Sequence, residues 1–209
     1  PSNPMGPRLD GEEIEALAAL GPPLVSDEIY HGLSYGERDR SALEYSDEAF
    51  VINGFSKYFA MTGWRLGYLI VPERYVRPFE ILQQNYFVSP NPFVQWAGVA
   101  ALREGVPAAE EMRRIYAERR KTMIRGLKKI GLPVHREPDG AFYAFADAHP
   151  FGENSLKLAR EILEATGVAV APGADFGPGG EGYLRFAYCN SVENIELALD
   201  RVGCYLASR

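Results

Sequence analysis

The sequence predicts an α/β chain, part of a mostly parallel sheet with helices on its faces, followed by a smaller α+β part. Three observations predict it. Short apolar runs at Leu24-Val25, Phe50-Val51-Ile52 and residues 66–71 alternate with helical patterns, the rhythm of a layered α/β sheet. Beyond Gly131-Leu132-Pro133 the texture changes to strand-like pieces interleaved with two helices. The 209 residues are 46% hydrophobic and 24% charged, a balance that can bury a sizeable core.

The elements follow in order. Asp10 with Glu13 three residues later forms a capping-box pattern, and Ile14, Leu17, Ala18 and Leu20 recur at helical spacing until Gly21 and Pro22-Pro23 stop them. Leu24-Val25 reads as a buried strand ending in Ser26-Asp27-Glu28. Phe50–Ile52 leads into Asn53-Gly54-Phe55-Ser56-Lys57, and the third run follows Gly63-Trp64-Arg65. Trp64 and the aromatic residues around it read as core. A helix follows Pro92 as far as Leu102, and a longer one runs from about Ala108 to Ile130. The long helix carries Arg113, Arg114, Arg119, Arg120, Lys121, Arg125, Lys128 and Lys129, partly balanced by Glu110, Glu111 and Glu118, which in an acidic chain reads as a solvated face. Strands at residues 141–146, 168–170 and 183–187 and helices at 155–166 and 192–206 complete the second part. The texture change sets the expected domains at residues 1–115 and 116–209.

Net charge is 22 − 28 = −6, which argues against nucleic acid or an anionic membrane as partner. No apolar run reaches the roughly 18 residues of a membrane span. Cys189 and Cys204 cannot make a disulfide framework, His31, His135 and His149 lack metal-ligand spacing, and no targeting signal is visible, so a cytoplasmic protein without a metal is expected. Five glycines between Gly173 and Gly182 suit turns better than a phosphate loop, because no Gly-Lys-Ser/Thr follows. The chain opens Pro1-Ser2-Asn3 without an initiator Met, from which a fragment is expected.

Chemistry collects at the strand ends. Asp27 follows the first strand, Lys57 the second, and Arg65 precedes the third. Ligands of open α/β sheets bind beyond strand carboxyl ends. Charged groups there pair with one another or with a ligand, and spacing alone leaves both readings open.

The string from Asn53 to Tyr68, with Ser56-Lys57 and Gly63-Trp64-Arg65-Leu66-Gly67 inside it, resembles the pyridoxal-phosphate lysine motif of the class I and II aminotransferases, of aspartate-aminotransferase fold. Asn3-Pro4-Met5-Gly6, Ser26-Asp27-Glu28-Ile29-Tyr30, Pro138–Tyr143, Pro172-Gly173 through Phe176-Gly177, and Leu184-Arg185-Phe186 resemble that family's other signatures, in its order. Together they span almost the whole chain, which makes the resemblance specific.

The resemblance implies pyridoxal 5'-phosphate as cofactor and amino acid and 2-oxo acid substrates in a ping-pong transfer. Lys57 would form the Schiff base and shuttle protons, as a neutral lysine amine can. Asp27 would hold the pyridine nitrogen protonated, with the aliphatic residues before it lowering the local dielectric. Tyr30 and Asn3 would hydrogen-bond the ring's 3' oxygen. Ser56 and Arg65 would grip the phosphate, and Arg185 the substrate α-carboxylate, with Asn3 assisting. The family's habit implies a homodimer. It further implies likeness to the second half of family members only, with the remainder carrying other cofactor contacts, so that the 209 residues alone turn over poorly. A carbon–sulfur β-lyase of the same fold, the sensor half of a transcription regulator, and a structural remnant, against which the intact Lys57, Asp27 and Arg65 set argues, are the alternatives.

Overall fold

The computed structural model describes residues 1–209 and divides into two compact units. The first comprises Pro1 and Arg8–Arg113, the second Ser2–Pro7 and Arg114–Arg209. The segment Ser2–Pro7 thus groups with the second unit, whereas the sequence reading kept it within 1–115.

In the first unit, α1 (Gly11–Ala18) starts at the capping box read from sequence. The Asp10 carboxylate accepts from Glu13 N–H, and the Glu13 carboxylate from Asp10 N–H, both at 2.9 Å. Such a cap is worth about 1 kcal/mol. Ile14 turns inward against Ala42, Ala49 and Val51, with Leu24 and Tyr45 packed on that cluster.

The sheet is β1 (Val25–Asp27), β2 (Phe50–Gly54) and β3 (Gly67–Ile70), in that spatial order. β1 and β2 are parallel, with Asp27 opposite Ile52, while β2 and β3 are antiparallel, with Gly54 opposite Gly67. The part of the sheet in this chain thus holds one parallel and one antiparallel pairing. A parallel return needs a crossover over the sheet face. Residues 55–66 form a compact turn without one, so β3 comes back antiparallel. The β1–β2 crossover contains only a 3₁₀ turn, Ala42–Glu44, in place of an α-helix.

The strands are also less buried than apolar runs suggest. Val25 is 61% exposed, and all four residues of β3 are exposed. Trp64, expected in the core, is 43% exposed and meets Phe93 edge-on. Ile52 of the central strand is exposed as well, at 42%, so these apolar side chains lack cover over a sheet face and not merely a neighbouring strand.

Two helices follow. The first, α2 (Glu73–Tyr86), was not anticipated: its sequence is polar and carries Pro78 inside, features that argue against a helix locally. The second, α3 (Pro92–Glu104), starts with the Asn91 side chain accepting from Phe93 N–H and with Pro92 at the first position.

The division between units falls within α4 (Val106–Lys129). The second unit adds β4 (Tyr143–Asp147), α5 (Ser155–Thr166), β5 (Ala171–Pro172), β6 (Tyr183–Ala187) and α6 (Val192–Ala207). Its sheet is antiparallel with β6 central, in the order β4-β6-β5. Leu127, Leu132, Ala144, Ile162, Leu184 and Val202 fill the core at 0% exposure. The strand expected at 168–170 forms instead at 171–172. Gly173 and Gly180 stand back to back: a Cβ on Gly173 would lie 1.8 Å from the Gly180 carbonyl oxygen, so the glycine run serves backbone approach. On α4, Arg120 pairs with Glu137 and Lys121 with Glu118. No helix is long and apolar enough to cross a membrane.

Candidate active site

Lys57 sits in the turn between β2 and β3, and the turn holds itself. Phe55 N–H donates to Leu66 C=O, Met61 N–H to Phe55 C=O, and Ala60 N–H to Lys57 C=O, each at 3.1 Å. The two glycines at its mouth let β2 and β3 close up: a Cβ on Gly54 would lie 3.0 Å from the Gly67 Cα. Two non-glycine residues of the turn adopt left-handed backbone, Ala60 at φ +53° and Arg65 at φ +54°. Such conformations cost about 1 kcal/mol or more each and cluster where geometry is used.

Ser56 and Arg65 are joined through Thr62. The Thr62 hydroxyl donates to Ser56 C=O at 2.9 Å, and Arg65 Nη1 donates to Thr62 C=O at 2.9 Å. The hydroxyl and guanidinium named from sequence thus belong to one hydrogen-bonded turn.

The segment after β1 faces the same turn. The Lys57 amine lies 5.8 Å from the centroid of the Tyr30 ring, which is buried. Asp27 ends β1 and its carboxylate accepts from Ile29 N–H at 3.1 Å. Asp27 is itself exposed, so the low-dielectric surroundings expected for it are not formed by this chain. Next to it, Glu28 is buried and accepts from Ser26, Ser41 and the Ala42 N–H, with His31 Nδ1 at 3.1 Å. Burial pushes the Glu28 carboxyl up, but the His31 and Ala42 hydrogen bonds outweigh it and hold it below its usual value. The sequence reading passed over Glu28, although it lies inside the Asp-Glu-x-Tyr motif.

In the second unit three motifs distant in sequence meet. Asn3 Oδ1 accepts from Arg185 Nη1 at 2.6 Å. Gly6, at φ +90°, stands so close to Pro138 that an added Cβ would lie 2.2 Å from that ring's Cβ. Arg185 occupies the middle of β6, opposite Phe145 and Ala171, with its guanidinium carbon 4.3 Å from the centroid of the Tyr143 ring and 4.8 Å from that of Phe176. Its buried Nε has no hydrogen-bond partner. A guanidinium held between two rings, with a donor unsatisfied, is suited to a planar anion. Tyr143 and Phe176 were missed as ring partners, though both stand inside quoted motifs.

The side-chain chemistry fits pyridoxal 5'-phosphate. A lysine amine can anchor an aldehyde, a strand-end carboxylate can accept from a protonated ring nitrogen, a phenol can meet a ring oxygen, and a serine and arginine of one turn can meet a phosphate. Among His, Cys, Asp and Glu, no group of three or more is arranged to hold a metal ion.

An α/β unit with a lysine in the turn after a strand, and a second unit with an arginine clasped by two rings, are the features that the comparisons with known proteins place in a family. The chain belongs to the class I and II aminotransferase family, whose profile matches residues 1–202. It is 39% identical over 217 residues to the valine–pyruvate aminotransferase of Mycobacterium tuberculosis, covering 100% of this chain and 56% of that protein. It is also 39% identical to the aspartate/prephenate aminotransferase of Thermus thermophilus, covering 96% of this chain and 53% of that protein. Among solved structures, an aromatic aminotransferase from Pyrococcus horikoshii superposes with a TM-score of 0.95 at 36% identity, over 100% of this chain and 58% of that one. The chain therefore spans just over half the length of the relatives it matches. A likeness confined to the relatives' second half is not borne out: the matches give an extent, and here that extent is the whole chain.

Proposed function

We propose that the protein transfers an amino group from an amino acid to a 2-oxo acid, with pyridoxal 5'-phosphate as cofactor and ping-pong order. The observation that supports this most is Lys57 in the self-bonded turn after β2, its amine against the Tyr30 ring, in a chain of the aminotransferase family. When bound, the cofactor supplies an aldehyde and an electron-withdrawing ring. Lys57 would be its covalent anchor, and its Nζ would be the base that takes up and returns a proton at the substrate α-carbon. Asp27 would accept a hydrogen bond from the ring nitrogen and so keep it protonated, and Tyr30 and Asn3 would be donors for the ring oxygen. Ser56 and Arg65 bind the phosphate. Arg185, steadied by Asn3, Tyr143 and Phe176, binds the substrate carboxylate.

The same reading includes a homodimer, and poor turnover by the 209 residues alone, because they span only 53–56% of those two relatives. Sedimentation tests the first, and the amino-transfer assay run on this polypeptide tests the second.

The test of the function itself is the visible spectrum after adding pyridoxal 5'-phosphate, beside Lys57→Ala. A band that survives dialysis, needs Lys57 and bleaches with an amino acid supports the reading. A band identical in Lys57→Ala overturns it. Release of pyruvate and ammonia, without amino transfer, moves the protein to lyase chemistry.

A further inference from the structure

Lys57 is followed by a tyrosine whose contacts make a closed circuit, and the roles given above use none of its polar members. Tyr58 Oη donates to Glu110 Oε1 at 2.8 Å. Glu110 Oε2 in turn receives Arg113 Nε at 2.9 Å and Nη2 at 2.8 Å. The third arm of Arg113, Nη1, donates to Ser34 C=O at 3.0 Å. The Ser34 hydroxyl donates to Asp39, which also accepts from Gly32 N–H at 2.8 Å. Gly32, at φ +87°, closes the circuit: a Cβ there would lie 2.6 Å from the Tyr58 ring. Only glycine leaves that ring room where it stands, with its hydroxyl on Glu110 of α4.

We infer that Tyr58, Glu110 and Arg113 are positioning residues for Lys57, clamping the turn that carries it to the start of α4 and to the 30–39 loop. All of these groups lie in the first unit. Several features agree with a clamp. Burial, followed by the hydrogen bond to Glu110, pushes the Tyr58 hydroxyl up to about 12, so it stays a donor throughout the neutral range. Two arms of the Arg113 guanidinium converge on Oε2 and leave Oε1 to Tyr58, a division of the carboxylate that a lysine at 113, with no fixed fork, would not impose. Lys57 is half-buried and its turn carries two left-handed residues, a backbone geometry that ties from outside the turn help to hold. An amine displaced by about 1 Å can lose about 100-fold in rate.

The inference rests on the assignment of Lys57 as cofactor anchor, and the test separates the two. Full-chain protein is mixed with pyridoxal 5'-phosphate, trapped with borohydride, and the labelling rates of Lys57 and of distant Lys157 are compared by mass spectrometry. Backbone amide exchange at Ala60 and Met61 is measured without cofactor. Tyr58→Phe and Glu110→Leu should each slow Lys57 labelling about tenfold and speed those two amides, with Lys157 unchanged. The double variant should be no slower than either single one. Glu110→Gln, which keeps an acceptor for Tyr58, should recover much of the rate. Lys57 labelling within twofold of wild type in Tyr58→Phe overturns the inference, and so does unchanged exchange at Ala60 and Met61. Wild-type protein that labels Lys57 no faster than Lys157 overturns the anchor assignment instead, a result the exchange data do not share.

Discussion

Replacing Glu28 by alanine should lower stability by about 3 kcal/mol, and the number can be built from its contacts. The carboxylate is 4% exposed. Its Oε1 receives Ala42 N–H at 2.8 Å, Ser41 Oγ at 3.0 Å and Ser26 Oγ at 3.1 Å, and its Oε2 receives His31 Nδ1 at 3.1 Å. The Ala42 amide belongs to a residue only 1% exposed, so losing its acceptor costs about 1–3 kcal/mol. The two hydroxyls are half-buried and can turn to water, which makes them the smaller part. The emptied volume adds about 1 kcal/mol. For a chain of this size the loss corresponds to a fall of about 6–12 °C in Tm. The sign with pH follows from the carboxyl being held below its usual 4.5. A lowered folded-state value contributes stability that is present above the unfolded value and is lost as pH falls through the folded one. The Glu28→Ala variant should therefore show a shallower loss of stability on acidification below about pH 4.5. Thermal and urea unfolding at pH 7 and across the acid range measure both. A loss under about 1 kcal/mol at pH 7, or an acid limb as steep as wild type, would refute the accounting.

Asp147 offers a second acid-sensitive site. Burial raises its carboxyl, but the His135 and His149 rings, at 2.8 and 2.7 Å, and the His149 N–H bring it down to about 2. The stability it adds is present above about pH 4 and lost toward pH 2, so Asp147→Asn should flatten that window by about 1 kcal/mol after solvent screening, read by acid unfolding. Gly32→Ala should cost about 2–3 kcal/mol, since its φ is +87° and the Tyr58 ring stands in the way; urea unfolding checks it. Arg185→Lys should raise KM for the amino acid about 10- to 100-fold in a transfer assay, because an ammonium loses the planar fork and the stacking on Tyr143 and Phe176.

Much of this was readable in the residues. The capping box at Asp10, the helix at Ser155–Thr166 and the central strand at Tyr183–Ala187 follow from local spacing and form as read. The grouping of Lys57, Ser56 and Arg65 in one turn was also legible, because they are neighbours in sequence. Strand direction was not. Apolar runs carry no record of whether the chain crosses over or doubles back, and the compact turn at 55–66 decided it. Burial of Val25, Trp64 and β3 was overestimated for a related reason, since an apolar residue reports a preference and its neighbours decide whether the preference is met. Helix α2 hid behind Pro78. The ring partners of Arg185 and the buried acceptor Glu28 depend on contacts between segments far apart in the chain, which periodicity does not encode.

The left-handed Arg65 has a consequence for anyone engineering this protein. Glycine is the residue that backbone geometry favours at φ +54°, and Arg65→Gly would relax roughly 1 kcal/mol of local strain. A search for thermostable variants scored only on melting temperature will therefore be drawn to this position. It would enrich a substitution that removes the turn's own guanidinium, and on the proposed role of Arg65 the hardier protein would be the poorer one at holding a phosphate.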